Sequence, residues 1–106
     1  HFALFGQLNR LAGADAVIFP HAGGRFSFTL EECRSLRDGT EVAMGDLAPI
    51  FPVPAGGMSL ERVGEMLAFY GQDVILLIGG DLHRHGPDLA ENCRQFARLV
   101  QREFAQ

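Results

Sequence analysis

Two hydrophobic patterns alternate along the chain. Runs that are apolar at nearly every position, 16–19, 50–53 and 74–78, have strand length and read as strands buried on both faces, as in a parallel sheet. Between them the apolar residues recur at helical spacing. Phe2, Leu4, Phe5, Leu8 and Leu11 predict a helix ended by Gly13. Leu30, Cys33 and Leu36 form the inward face of a second, opened by the capping box Thr29-Leu30-Glu31-Glu32 and broken at Asp38-Gly39. The stretch 40–48 reads as irregular. Leu60, Val63, Met66 and Leu67 mark a third helix, capped by Ser59, running to about Tyr70 and ended by Gly71. A short helix is expected over 81–85. Gly86-Pro87 then opens a last helix whose buried stripe is Leu89, Cys93, Phe96, Ala97, Val100 and Phe104. Pro52, bracketed by Pro49 and Pro54, makes the second strand the least regular of the three.

The resulting order, α–β–α–β–α–β–α, is a leading helix followed by three βα units, an α/β arrangement with parallel strands and right-handed crossovers. Three parallel strands alone leave two open edges and a thin core. Such a piece fits the wall of a (β/α)8 TIM barrel better than a domain of its own.

Composition narrows the function classes. At 106 residues the chain holds one domain at most, and 47% hydrophobic with 21% charged residues is globular material. A net charge of −4 argues against a nucleic-acid or anionic-membrane partner recruited by bulk charge, while leaving room for a local basic pocket. No apolar run approaches the roughly 18 residues of a membrane span, and the first residues show no basic stretch followed by an apolar one. The chain opens without methionine, inside a helical pattern, which reads as a processed protein or a piece of a longer one. Cys33 and Cys93 fall on apolar helix faces and read as buried free thiols in a reducing cytoplasm.

Candidate chemistry sits after the strands. Gly56-Gly57 and Gly79-Gly80 each follow a strand and precede a helix start. Glycine turns tightly and leaves its amide uncovered by a Cβ, and such amides beside a helix start attract an anion, most often a phosphate. Two pairs at matching places would converge on one spot; the plainer alternative is two tight turns. A third pair, Gly23-Gly24, precedes Arg25, a candidate clamp for phosphate or carboxylate, or else a solvated loop arginine. His21 reads most simply as a surface loop histidine. His83 and His85 lack a third ligand for a metal site. Asp81 reads as a cap for its own short helix, and Arg94, Arg98 and Arg102 as the wet face of the last.

In this order the stretches Arg10-Leu11-Ala12-Gly13-Ala14-Asp15, Gly24-Arg25, Pro52-Val53-Pro54-Ala55-Gly56-Gly57-Met58 and Gly79-Gly80 with the nearby His83 and His85 resemble the C-terminal barrel segment of the RuBisCO large-chain superfamily, across nearly the whole chain. The resemblance implies strands six to eight of the barrel with flanking helices, making residues 1–106 the C-terminal segment of a catalytic domain. It places Gly56, Gly57, Gly79 and Gly80 at the family's substrate-phosphate site. Arg25 falls where the carboxylases carry a catalytic lysine, and the two cations are not equivalent. Ile18 and Ala55 stand where the carboxylases have a histidine and a serine. These departures imply a RuBisCO-like protein that enolises, isomerises or decarboxylates a phosphorylated keto-sugar without fixing CO2. The loop at Gly23-Gly24-Arg25-Phe26 looks less like that of the diketo methionine-salvage enolases. The family's Mg2+ ligands precede this segment, and its active site draws on a second subunit. A cytoplasmic homo-oligomer, a dimer or higher, is therefore expected, with the segment alone inactive. The competing expectation is a non-catalytic phosphate-binding α/β module that assembles with itself to cover its open edges; a structural remnant without ligand is a third.

Overall fold

The computed structural model describes residues 2–22 and 28–104. Its order is α1 (Phe2–Leu11), β1 (Ala16–Pro20), α2 (Leu30–Glu41), β2 (Phe51–Ala55), a 3-10 turn (Leu60–Arg62), α3 (Val63–Tyr70), α4 (Gly80–Arg84) and α5 (Leu89–Phe104). β1 and β2 pair in parallel, with Ala16 opposite Phe51 and Pro20 opposite Ala55. The core lies between this sheet and the helices. Val17 and Phe19 of β1 meet Cys33 and Leu36 of α2, Met66 and Tyr70 of α3, and Ile50 and Met58.

The third apolar run, 74–78, lies beside β2 without forming a ladder, and the reason is in the sequence. Neighbouring residues of a strand present their backbone groups to opposite edges. Phe51 N donates to Asp15 O at 3.1 Å and His21 N donates to Ala55 O at 2.9 Å, so residues 51, 53 and 55 of β2 serve β1. Residues 52 and 54 face the other way, and both are proline. Ile75 N donates to Pro52 O at 3.1 Å, but the return donors would be amides that proline lacks. Alternation survives: Val74, Leu76 and Ile78 pack on the core while Ile75 and Leu77 are exposed. Together with Ile18 and Phe51 they leave an apolar patch exposed on the other side of the sheet, around the buried Val53.

Several helix expectations change. Gly39 does not break α2; it lies inside it, because α1 crosses there at backbone distance. A Cβ on Gly39 would stand 2.1 Å from Ala3 O, and one on Gly6 would stand 3.1 Å from Leu36 O. The buried residues of α1 are Gly6 and Arg10, while Leu4, Phe5, Leu8 and Leu11 are exposed. The Thr29–Glu32 capping box forms in both directions, although Leu30 faces outward. Gly71 closes α3 at φ 79°. α5 begins after the proline, at Leu89, with Asp88 Oδ1 accepting from Ala90 N and Glu91 N. Its expected stripe is corrected: Cys93 is exposed and Asn92 is buried, donating from Nδ2 to Leu82 O at 2.7 Å and Gly86 O at 3.1 Å. The inward face of the helix runs instead through Asn92, Phe96, Leu99 and Val100, against α3 and α4. Among the described residues no helix is long and apolar enough to cross a membrane.

Candidate functional site

Both glycine pairs stand where an extended segment gives way to a helical turn, and all four glycines are exposed. Gly56 and Gly57 have φ of 76° and 69°, the left-handed region in which a Cβ is strained. A Cβ on Gly56 or Gly79 would meet nothing within 4 Å, so the backbone is open there. Gly79 directly precedes α4 and Gly80 is its first residue.

The two turns are tied together by a residue assigned a different task above. Asp81 does not cap α4, which has no side-chain cap bond. Its Oδ2 instead accepts from Leu60 N at 3.1 Å, across to the helical start that follows Gly56-Gly57. Ser59, expected as the cap at that start, makes no side-chain cap bond. The carboxylate arriving from the neighbouring loop fills that role.

Two guanidinium groups flank the glycine turns. Arg62 donates from Nη1 to Gly57 O and from Nη2 to Ala22 O, both at 3.1 Å, and Nη2 also lies 3.1 Å from Glu65 Oε1. Arg84 lies over Gly80, with Nη1 3.1 Å from where a Cβ would stand. Positive charge at the turns favours an anion, while Asp81 opposes one and satisfies the Leu60 amide itself. Sequence spacing gave no hint of the reach from Arg62 to Ala22, which lie 40 residues apart. Arg25, with Gly23 and Gly24, lies outside the described residues.

Below this surface, His21 is buried rather than on a surface loop. Its Nδ1 lies 2.6 Å from the Tyr70 hydroxyl, with the rings of Phe69 and Tyr70 edge-on at 5.5 and 5.4 Å. Burial first, then the nearby Arg62 charge, pushes the His21 pKa below its ordinary 6.5. Burial pushes the Tyr70 hydroxyl and the Cys33 thiol upward, so both stay protonated near neutral pH. The unfolded chain therefore takes up a proton at His21 before the folded one does as pH falls. Stability is expected to decline below about pH 6.5, and a His21→Phe variant to lose that component of the slope. Urea midpoints at about pH 7.5 and about pH 5.5 would measure it.

The described residues do not fit the Mg2+ ligand set implied by the resemblance. All nine basic residues of the chain are arginines, so no lysine is present to be carbamylated. Among the described residues no three His, Cys, Asp or Glu side chains cluster to hold a metal ion, and His85 Nε2 lies 2.8 Å from Gln95 Oε1. A concavity of about 600 Å³ is lined by Gln95, Arg98, Leu99, Gln101 and Arg102 of α5, away from the glycine turns.

Parallel strands, helices on one sheet face and glycine turns at the strand ends define an α/β segment of barrel-wall type. No family model matches the chain. It is 55% identical over 97 residues to ribulose bisphosphate carboxylase-like protein 1 of Rhodopseudomonas palustris, covering 92% of this chain and 26% of that protein. To the 5-methylthioribulose-1-phosphate isomerase of Rhodospirillum rubrum it is 50% identical over 98 residues, with the same coverage of both chains. The crystal structure of a Rubisco-like protein from Rhodopseudomonas palustris superposes with a TM-score of 0.79 at 44% identity, over 92% of this chain and 25% of that one. The chain thus spans about a quarter of the length of the relatives it matches. The chain is homologous to the C-terminal part of RuBisCO-like proteins.

Proposed function

We propose that this chain forms the phosphate-gripping wall of a RuBisCO-like enzyme acting on a phosphorylated keto-sugar. The reaction is a Mg2+-dependent enolisation followed by isomerisation or decarboxylation, without CO2 fixation. The observation that carries this reading is the pairing of two open glycine turns, bound to each other through Asp81 and Leu60. Gly56, Gly57, Gly79 and Gly80 offer amides to one phosphate, with Arg62 and Arg84 supplying positive charge nearby. In this reading Arg25 supplies the catalytic cation. Ile18 and Ala55 lie on the same face of the sheet, and neither can exchange a proton there. That absence favours the isomerase-type relative, whose name denotes a sugar phosphate, over a carboxylase.

In this reading the metal ligands and the enolising base come from outside the chain, as does a second subunit of a cytoplasmic homo-oligomer. Inorganic phosphate added to the 15N-glycine-labelled protein should shift the amides of Gly57, Gly79 and Gly80 together. A spectrum in which those three stay fixed while the protein is folded would remove the phosphate site. The exposed patch of Ile18, Phe51, Ile75 and Leu77 favours a second reading, a module that pairs with its own copies. A clean, folded oligomer of the 106-residue chain on size exclusion would support that alternative; aggregation would count against it.

A further inference from the structure

We propose that Arg62 and Asp81 are positioning residues: through the 3-10 turn Leu60–Arg62 they latch the ends of three successive strand segments and so set the spacing of the glycine turns. The inference rests on the phosphate-site reading above and assigns the device that holds that site in shape. Arg62 reaches the end of β1 through Ala22 O and the turn after β2 through Gly57 O. Asp81 reaches back from the turn after 74–78 to Leu60 N. The partners are 40 and 21 residues apart for the two long reaches, so none of this belongs to a helix ladder.

The chemistry suits the task. A guanidinium is a rigid fork that can hold two carbonyls at once, and Arg62 is only 22% exposed, so its bonds are partly shielded from water. Fixing Gly57 O fixes the plane of the Gly57–Met58 peptide and restrains a glycine backbone otherwise free to rotate. Asp81 acts differently. By occupying the Leu60 amide it leaves an incoming phosphate the glycine amides, and it binds the second glycine turn to the first. His21 N bonded to Ala55 O closes the same ring of contacts from the β1 side.

The test uses the full-length protein, inorganic phosphate as probe, and hydrogen exchange at the His21, Leu60 and Cys33 amides. Arg62→Ala should weaken phosphate binding about tenfold and speed exchange at His21, with Cys33 in α2 unchanged. Asp81→Ala should do the same with Leu60 as reporter. Asp81→Asn, which keeps an acceptor, should recover most of the affinity, and Arg62→Lys, which keeps the charge but not the fork, only part of it. Phosphate affinity within about twofold of wild type in both alanine variants would overturn the latch. So would faster exchange at Cys33 in parallel with the other two amides, which would mark general loosening. If phosphate leaves even the wild-type glycine amides unmoved, the phosphate reading fails. The latch then stands if His21 and Leu60 exchange faster in their variants and falls if they do not.

Discussion

Replacing Arg10 with methionine is expected to cost about 3–5 kcal/mol of stability, enough to unfold much of a marginal protein. Arg10 is buried at 4% exposure at the end of α1. Its Nε donates to Ala48 O and its Nη2 to Leu47 O, both at 3.1 Å, while Nη1 donates to Gly39 O at 3.1 Å and Val42 O at 2.6 Å. These carbonyls belong to the end of α2 and the irregular stretch that leads to β2. Methionine fills much of the same space but leaves four acceptors without that donor. Lysine keeps the charge but lacks the planar fork, and recovers only part of the loss. Denaturant midpoints of wild type, Arg10→Met and Arg10→Lys check the order, with the lysine variant expected between the other two.

Gly39→Ala should cost about 3 kcal/mol or more, although alanine is the better helix former by about 1 kcal/mol. The added methyl would sit 2.1 Å from Ala3 O and 2.8 Å from Ala3 C, backbone atoms that cannot swing aside. α1 and α2 must separate, and Arg10 then loses its reach to Gly39 O. Gly6→Ala, with its nearest contacts at 3.1 Å, should cost less, about 1–2 kcal/mol. Thermal unfolding of the two variants would show the difference. A Gly39→Ala protein as stable as wild type would mean the helices do not cross this closely.

These positions also show what the sequence made legible. The span of α1, the capping box at Thr29 and the stop at Gly71 depend on residues within a few places of one another, and local pattern reads them well. Gly39 does not: its local preference says break, and the crossing of a helix more than thirty residues earlier in the chain says continue. Arg10 looks like an ordinary last-turn cation until the stretch 42–48 folds over it. Cys93, expected inside, is exposed and Asn92 is buried because α5 packs on α4 and α3, whose positions no periodicity encodes. At the candidate site the glycine pairs were readable from their place after the apolar runs. The carboxylate of Asp81 and the guanidinium of Arg62 were not, since their partners come from other loops.

The two prolines of β2 carry a consequence for the life of the nascent chain. When β2 has emerged and 74–78 has not, one flank of that strand is bare. A stranger's strand arriving there would find carbonyls but no reciprocal hydrogens at 52 and 54, so it could not zip on in register. The flank that waits longest for its own neighbour is thereby the one least able to seed a fibril.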